Sequence, residues 1–546
     1  MLRSSFSLVA TLVLSLPFLL VGIDWGLPSR ASDRHLFGER VPWSGRDIVE
    51  LAGGWTAPAN GADLQQDAPL DRARPVVLNE TDAQRADIVR RYRLYTAQPD
   101  EMINLRALSQ MRPREGQLDP RLYQYGGLWF YPAGAVLAVA GAAGWVTLTP
   151  DVAFYLDRPD EVGRLYVVLR LVVAAWALGG VAAVYVLCRQ MGCSGMLAGL
   201  VGLAWVCSPG VVVFGHEAKP HVPGVVCVLW SAALATEYVR KGRGVYLLGS
   251  AAAAGGAFGM VLSMLPAAAV PAVAAVLRGV REGRGASGRT TWDVMWSAAV
   301  FVATYAASNP YVVWHALTDP SRLTAQLGNT AAMYPPTSPL ATLGTVFFLL
   351  VSLTPAVLLA LVAYGLVLSD VQKLVRQGGR AAVYLPLPLL LLAGPALLQL
   401  LAFAAFASGK PGEYARFGLL VASVGVVSAG YLATRFQWSW GVPGVVVLLH
   451  LLLSGQELAR FARGPSTAGP VPLTNVPEEV TLTHEPAPYN TPPLDLWRTR
   501  LILLPLDERG RVVGSPSLRQ PPRSDGFWRM SWADRSVEWD TRGLDR

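Results

Sequence analysis

Asp100 and Glu101 follow Pro99 in the run Pro-Asp-Glu-Met-Ile-Asn-Leu-Arg, which reads as the opening of a helix. Carboxylates in a first turn are held in their ionised form by the positive end of the helix dipole. By residue type alone, Asp100 is equally well explained as a helix cap. A second polar island, His216-Glu217-Ala218-Lys219-Pro220-His221, holds two imidazoles and a carboxylate. Its spacing is one residue longer than the His-Glu-x-x-His of zinc sites, and Pro220 interrupts the continuous helix that such a site needs. A polar role is therefore expected ahead of a divalent metal, and no cofactor is expected. Four cations, Arg170, Lys219, Lys410 and Arg416, stand near the ends of apolar runs. There a cation either meets phosphate oxygens or snorkels to lipid headgroups.

The elements that must hold these residues are membrane helices. Of the 546 residues 52% are hydrophobic and 15% charged, and the mean hydropathy is +0.36, too apolar for an ordinary soluble chain. A membrane helix needs about 20 mainly apolar residues. Runs near that length recur at 6–23, 165–188, 195–214, 222–239, 244–263, 294–308, 340–368, 382–406, 417–434 and 441–454, with a shorter one near 264–279 broken by Pro266 and Pro271. The net charge of +8 does not point to nucleic acid, because the basic residues flank apolar spans and form no basic helix. Cys188, Cys193, Cys207 and Cys227 all lie in or beside apolar runs, so no disulfide framework is implied and the four read as packing residues. The apolar run after Arg3 lacks a clear cleavage site and reads as an uncleaved first helix.

Orientation turns on 128–149. With that stretch along the interface, where Trp129, Tyr131 and Trp145 favour the headgroup level, the short inner loops carry twelve Lys or Arg and the short outer loops three, as the positive-inside rule requires. The expected architecture is an all-α polytopic membrane protein with about eleven spans, its N-terminus cytoplasmic. Residues 1–455 form the membrane domain, including a large first outer loop (24–162) with interfacial helices, and 456–546 an outer-face tail or small domain rich in Pro, Arg and Trp. The composition, rich in Ala, Gly and Arg and poor in Lys, looks bacterial, which places the chain in a plasma (inner) membrane and leaves the Asn79-Glu80-Thr81 sequon without meaning.

The segment 99–132, from the Pro-Asp-Glu helix through Leu-Tyr-Gln-Tyr-Gly-Gly-Leu-Trp-Phe-Tyr-Pro, resembles the first outer loop of GT-C membrane glycosyltransferases, the group of protein O-mannosyltransferases and lipid A aminoarabinose transferases. Further matches follow in the family's order: Arg164 and Arg170 at the second span, Ser208-Pro209 at the third, Ser308-Asn309-Pro310-Tyr311 after the seventh, and Arg416-Phe417 after Lys410-Pro-Gly-Glu-Tyr-Ala. The resemblance covers residues 6–435 and not the tail. It implies that Asp100 is a general base, with Glu101 supporting the loop, and that Arg416 contacts the donor phosphate; Arg170, Lys410 and Lys219 are further candidates for that contact, as cations near the outer interface. His216, Glu217, His221, Asn309 and Tyr311 would line the acceptor cleft. Many relatives carry an acid near the position of His221, so the histidine is a departure.

The implied reaction is inverting transfer of a sugar from a polyprenyl phosphate to a hydroxyl of a glycan, lipid or protein at the outer face. Transfer of a whole glycan from a polyprenyl diphosphate is the second enzymatic reading. A lipid transporter or flippase is the non-enzymatic one, and it would need polar residues at mid-membrane depth and internal repeats. The charges instead cluster at span ends, and no repeat is visible.

Overall fold

The computed structural model describes residues 2–52, 76–283, 288–333, 339–376, 386–406, 414–437, 440–462, 479–482, 494–503, 527–530 and 537–540. The chain divides into two compact units. One comprises Met1–Val21, Leu122–Gly134 and Arg170–Ala459, the other Gly22–Arg121, Ala135–Leu169 and Arg460–Arg546.

The first unit is the apolar one, and each apolar run read from the sequence holds helix among its described residues. Among the described residues five helices are long and apolar enough to cross a membrane, or seven if each of two bent pairs is one span. The chain is a polytopic, all-α membrane protein. The first helix, Leu2–Leu20, packs against Gly195–Val206, where a Cβ on Gly199 would run into Thr11 Oγ1 at 2.5 Å. Small residues let helices approach closely where lipid gives no hydrophobic drive. The helix His221–Lys241 ends at Gly242, whose φ of +70° suits glycine. The Arg278 guanidinium donates to the carbonyls of Val239 and Arg240 at 3.0 and 3.3 Å, satisfying groups that a helix end leaves orphaned. The run near 264–279 is continuous after all: Pro266 lies in a 3₁₀ segment, Leu262–Ala268, that leads into the α-helix Ala269–Arg281.

Two expected spans are bent. The run 195–214 divides into Gly195–Val206 and Pro209–Gly215 at 60°, with the break at Cys207-Ser208. The run 340–368, read above as one span, is two helices, Pro339–Leu353 and Val357–Arg376, whose apolar parts cross at 104°. Pro355 lacks an N–H and disfavours helical backbone at Thr354. The Thr354 hydroxyl then accepts from the Ala356 N–H at 3.2 Å and pairs with His450 Nε2 at 2.6 Å. His450 Nδ1 contacts the Ala204 carbonyl at 2.7 Å, so one buried imidazole ties both bends to the helix Gly441–Ala462. Gly425, on Leu419–Arg435, lies so close to the break that a Cβ would stand 2.7 Å from Ala356 C and Val357 N.

The second unit is polar and built around Arg93. Its guanidinium, wholly buried, donates to Asp33 Oδ1 and Oδ2 at 3.2 and 2.9 Å and to the carbonyls of Trp43 and Leu156 at 2.9 and 3.3 Å. Removing one partner of such a pair costs about 3–5 kcal/mol. Ser44 with Asp47, and Thr81 with Gln84, form reciprocal capping boxes that start the helices Gly45–Leu51 and Asp82–Leu94. A three-stranded sheet joins the loop to the tail: Arg500–Leu503 pairs antiparallel with Val76–Val77 and parallel with Glu479–Leu482. Asn79 fastens the joint, donating to the carbonyls of Leu496 and Thr499 at 2.8 and 2.7 Å and accepting from the Leu501 N–H at 2.9 Å. The sequon's amide is thereby committed to backbone. Arg40 and Arg85 both lie over the Trp497 ring, 4.9 and 5.3 Å from its centroid. Loop and tail thus share one hydrogen-bonded sheet.

Candidate active site

In the second unit, Pro99 takes a first position of the helix Pro99–Gln110, and Gln98 is its N-cap. Asp100 therefore lies in the first turn and not at the N-cap position. Asp100 is part-exposed in the first turn, where the dipole favours its charge. Its backbone carbonyl accepts from Asn104 Nδ2 at 2.9 Å. Glu101 is wholly buried and accepts from the Thr96 hydroxyl, while the Gln98 N–H donates to that same Thr96 oxygen at 3.1 Å. Tyr166 braces the helix, its hydroxyl 2.9 Å from the Leu94 carbonyl and 3.0 Å from Met102 Sδ. The two carboxylates thus have different surroundings, one reachable and one built into the fold.

In the first unit, the loop between Pro209–Gly215 and His221–Lys241 is buried throughout, taking His216, Glu217 and Lys219 with it. Irregular polar backbone among membrane helices is tolerated only inside protein or along a cavity. Lys219 Nζ is 3.4 Å from Glu217 Oε2. His216 stands between the carbonyls of Val212 and Val21, at 2.7 Å from Nδ1 and 3.0 Å from Nε2. Burial pushes this imidazole down to about 4, against the two carbonyls, with Arg170 and Glu217 also acting on it. At neutral pH it is uncharged and donates to one carbonyl only. Arg170, on Pro159–Gln190, is itself wholly buried.

His221 faces other neighbours. Its ring meets Tyr125 and Phe417 edge-on, each with centroids 5.8 Å apart. Arg416 lies over the Phe417 ring at 5.4 Å, and Phe403 packs beside the same ring at 5.6 Å. The structure thus brings Arg416 and His221 to one aromatic ring, although 195 positions of sequence separate them. Tyr125 is aligned by an isolated bridge to Val261, with Gly126 N–H to Met260 O at 2.9 Å and Leu262 N–H to Gln124 O at 3.2 Å. Neither Tyr125 nor Phe417 was expected in the site, though both lie inside the quoted motifs. The signal was the alternation of tyrosines before Gly126-Gly127.

Asn309 serves the backbone. Its Oδ1 accepts from the Gly127 N–H at 2.8 Å, and its Nδ2 reaches Tyr305 O and Ser308 Oγ at 3.1 and 3.0 Å. It fixes the Gly126-Gly127 turn rather than presenting a free amide to a cleft. Tyr311 is part-buried in the first turn of Pro310–Thr318, whose His315 packs against Tyr123 at 5.5 Å. Lys410 lies outside the described residues. Among the described residues no group of three or more His, Cys, Asp or Glu is arranged to hold a metal.

No protein-family profile and no curated protein matches the chain. Solved structures similar to it include two. ArnT from Cupriavidus metallidurans bound to undecaprenyl phosphate shares 13% identity over 78% of this chain and 84% of its own, with a TM-score of 0.43. The Archaeoglobus fulgidus oligosaccharyltransferase in complex with Zn and sulfate shares 14% identity over 64% of this chain, with a TM-score of 0.35. This chain spans less than half of that enzyme's length, 45%.

Proposed function

We propose that the chain is a membrane glycosyltransferase that moves a sugar from a polyprenyl-phosphate donor to an acceptor hydroxyl at the outer face. The observation that carries the reading is the buried loop His216–His221 with its ammonium and imidazoles, inside a unit made of membrane helices. Ionisable groups kept in such a setting mark substrate paths, and a lipid-linked phosphate is the substrate that reaches cations from within a bilayer. Arg416, with Lys219, Arg170 and Lys410, binds the donor phosphate, the guanidinium fork suiting its oxygens.

The reaction is a single displacement. The acceptor oxygen attacks the anomeric carbon, the bond to the phosphate oxygen breaks, and the sugar inverts. Polyprenyl phosphate leaves as an anion held by the cations, and the acceptor's proton passes to the Asp100 carboxylate. Glu101, buried against Thr96, supports the loop.

Membranes containing the protein, supplied with a panel of labelled polyprenyl-phosphate sugars, test the reading. Transfer of one of them to membrane or soluble acceptors is expected. Labelling from diphosphate-linked glycans alone would replace it with the ligase reading, and movement of intact donor across the bilayer without transfer would replace it with transport.

A further inference from the structure

The helix Pro159–Gln190 ends in a Schellman turn. Gly192 has a φ of +91°, its N–H donates to Arg189 O at 3.1 Å, and the Cys193 N–H donates to Cys188 O at 3.1 Å. This pair of bonds brings the side chains three positions before and two after the cap against each other, where two apolar groups commonly meet. Here they are thiols. Both Cys188 and Cys193 are buried, and the Cys193 thiol donates to the Gly430 carbonyl at 3.5 Å.

Both also lie against Gly430 of Leu419–Arg435: a Cβ there would stand 3.0 Å from Cys188 Sγ and 3.5 Å from Cys193 Sγ. Cys193 Sγ is 3.2 Å from Thr434 Oγ1, and Arg189 donates to the Cys193 carbonyl at 2.6 Å.

We propose that Cys188 and Cys193 form an oxidisable dithiol that closes reversibly to a disulfide across this turn. Two S–H bonds break and one S–S bond forms. The two electrons reduce a small disulfide such as oxidised glutathione to two thiols, which take up the two protons. Cys193 is the attacking sulfur, since its contacts with Cys188 and Thr434 and the charge of Arg189 hold its thiol below the usual range. Cys188 then displaces the small thiol from the mixed disulfide.

Full-length protein in detergent, equilibrated in glutathione buffers of rising oxidised fraction, can be acid-quenched, denatured, alkylated and weighed. The expected result is the joint loss of two alkylation sites, mapped to Cys188 and Cys193, in a species two hydrogens lighter, while Cys207 and Cys227 stay alkylated. In Cys188→Ser the mixed disulfide has no resolving partner, so a glutathione adduct should accumulate on Cys193. Four alkylated cysteines at every poise, and again after the small permeant oxidant diamide, would overturn the proposal. So would a disulfide that joins any other pair.

Discussion

Asp100 and Glu101 are sequence neighbours with opposite surroundings, and their substitutions should separate accordingly. Asp100 lies in the first turn and not at the N-cap position, so Asp100→Asn keeps the side chain's size and one oxygen and removes the base. Transfer at saturating donor should fall by about a hundredfold or more with thermal stability unchanged. Near-normal turnover would remove Asp100 from the chemistry. Glu101→Gln keeps an oxygen for the Thr96 hydroxyl, so it should cost about 1 kcal/mol of stability and less than tenfold in transfer. Arg416→Lys keeps the charge and loses the planar fork. At limiting donor its transfer should drop by about tenfold, and equal rates would argue against phosphate contact. These side chains were legible because their types and order are unusual in an apolar chain. Tyr125 and Phe417 were not, because their meeting with His221 depends on a two-residue bridge at Val261 that no local pattern announces.

Helices were legible wherever an apolar run was long, although two of those runs are bent pairs of helices. Bends were harder to read. Pro355 marks a place where a helix can stop, but a proline alone sets no angle; the turn of 104° rests on Thr354, on His450 from a later helix, and on the absence of a side chain at Gly425. Gly425→Val would force branched carbon into the backbone of Ala356 and Val357. It should destabilise the protein by roughly 1–3 kcal/mol, visible as a lowered melting temperature in detergent. An unchanged melting temperature would mean that the helix Leu419–Arg435 does not pack on the break as closely as described.

For the molecule as a whole, the charge count and the sheet make independent statements. The count puts residues 24–162 and 456–546 outside, while the pairing of Val76–Val77 with Arg500–Leu503 requires only that they share a side. Cysteines placed at the exposed positions Val41 and Arg498, with the four native cysteines replaced by alanine, separate the two. Both should react with an impermeant thiol reagent in intact cells. Protection of both would reverse the orientation and leave the sheet standing, whereas labelling of one alone would contradict the sheet. The charge asymmetry could be counted from the sequence. The pairing of loop and tail could not, since short strands far apart carry no mutual signal.

That sheet also imposes a schedule on synthesis. The Asn79 amide and the carbonyl of Thr499 are 420 positions apart, so at about 5–20 residues per second the loop waits roughly 20 to 80 s for its partner strand to be made. During that interval Val76–Val77 is an unpaired edge and Asn79 has none of its three bonds to the later segment. A chain stopped after Pro477 should still insert its apolar helices yet lose residues 22–121 to protease, with the full-length chain resistant under the same digestion. Arrival of the distant strand would then act as a proofreading step, sparing only chains whose translation has run past it.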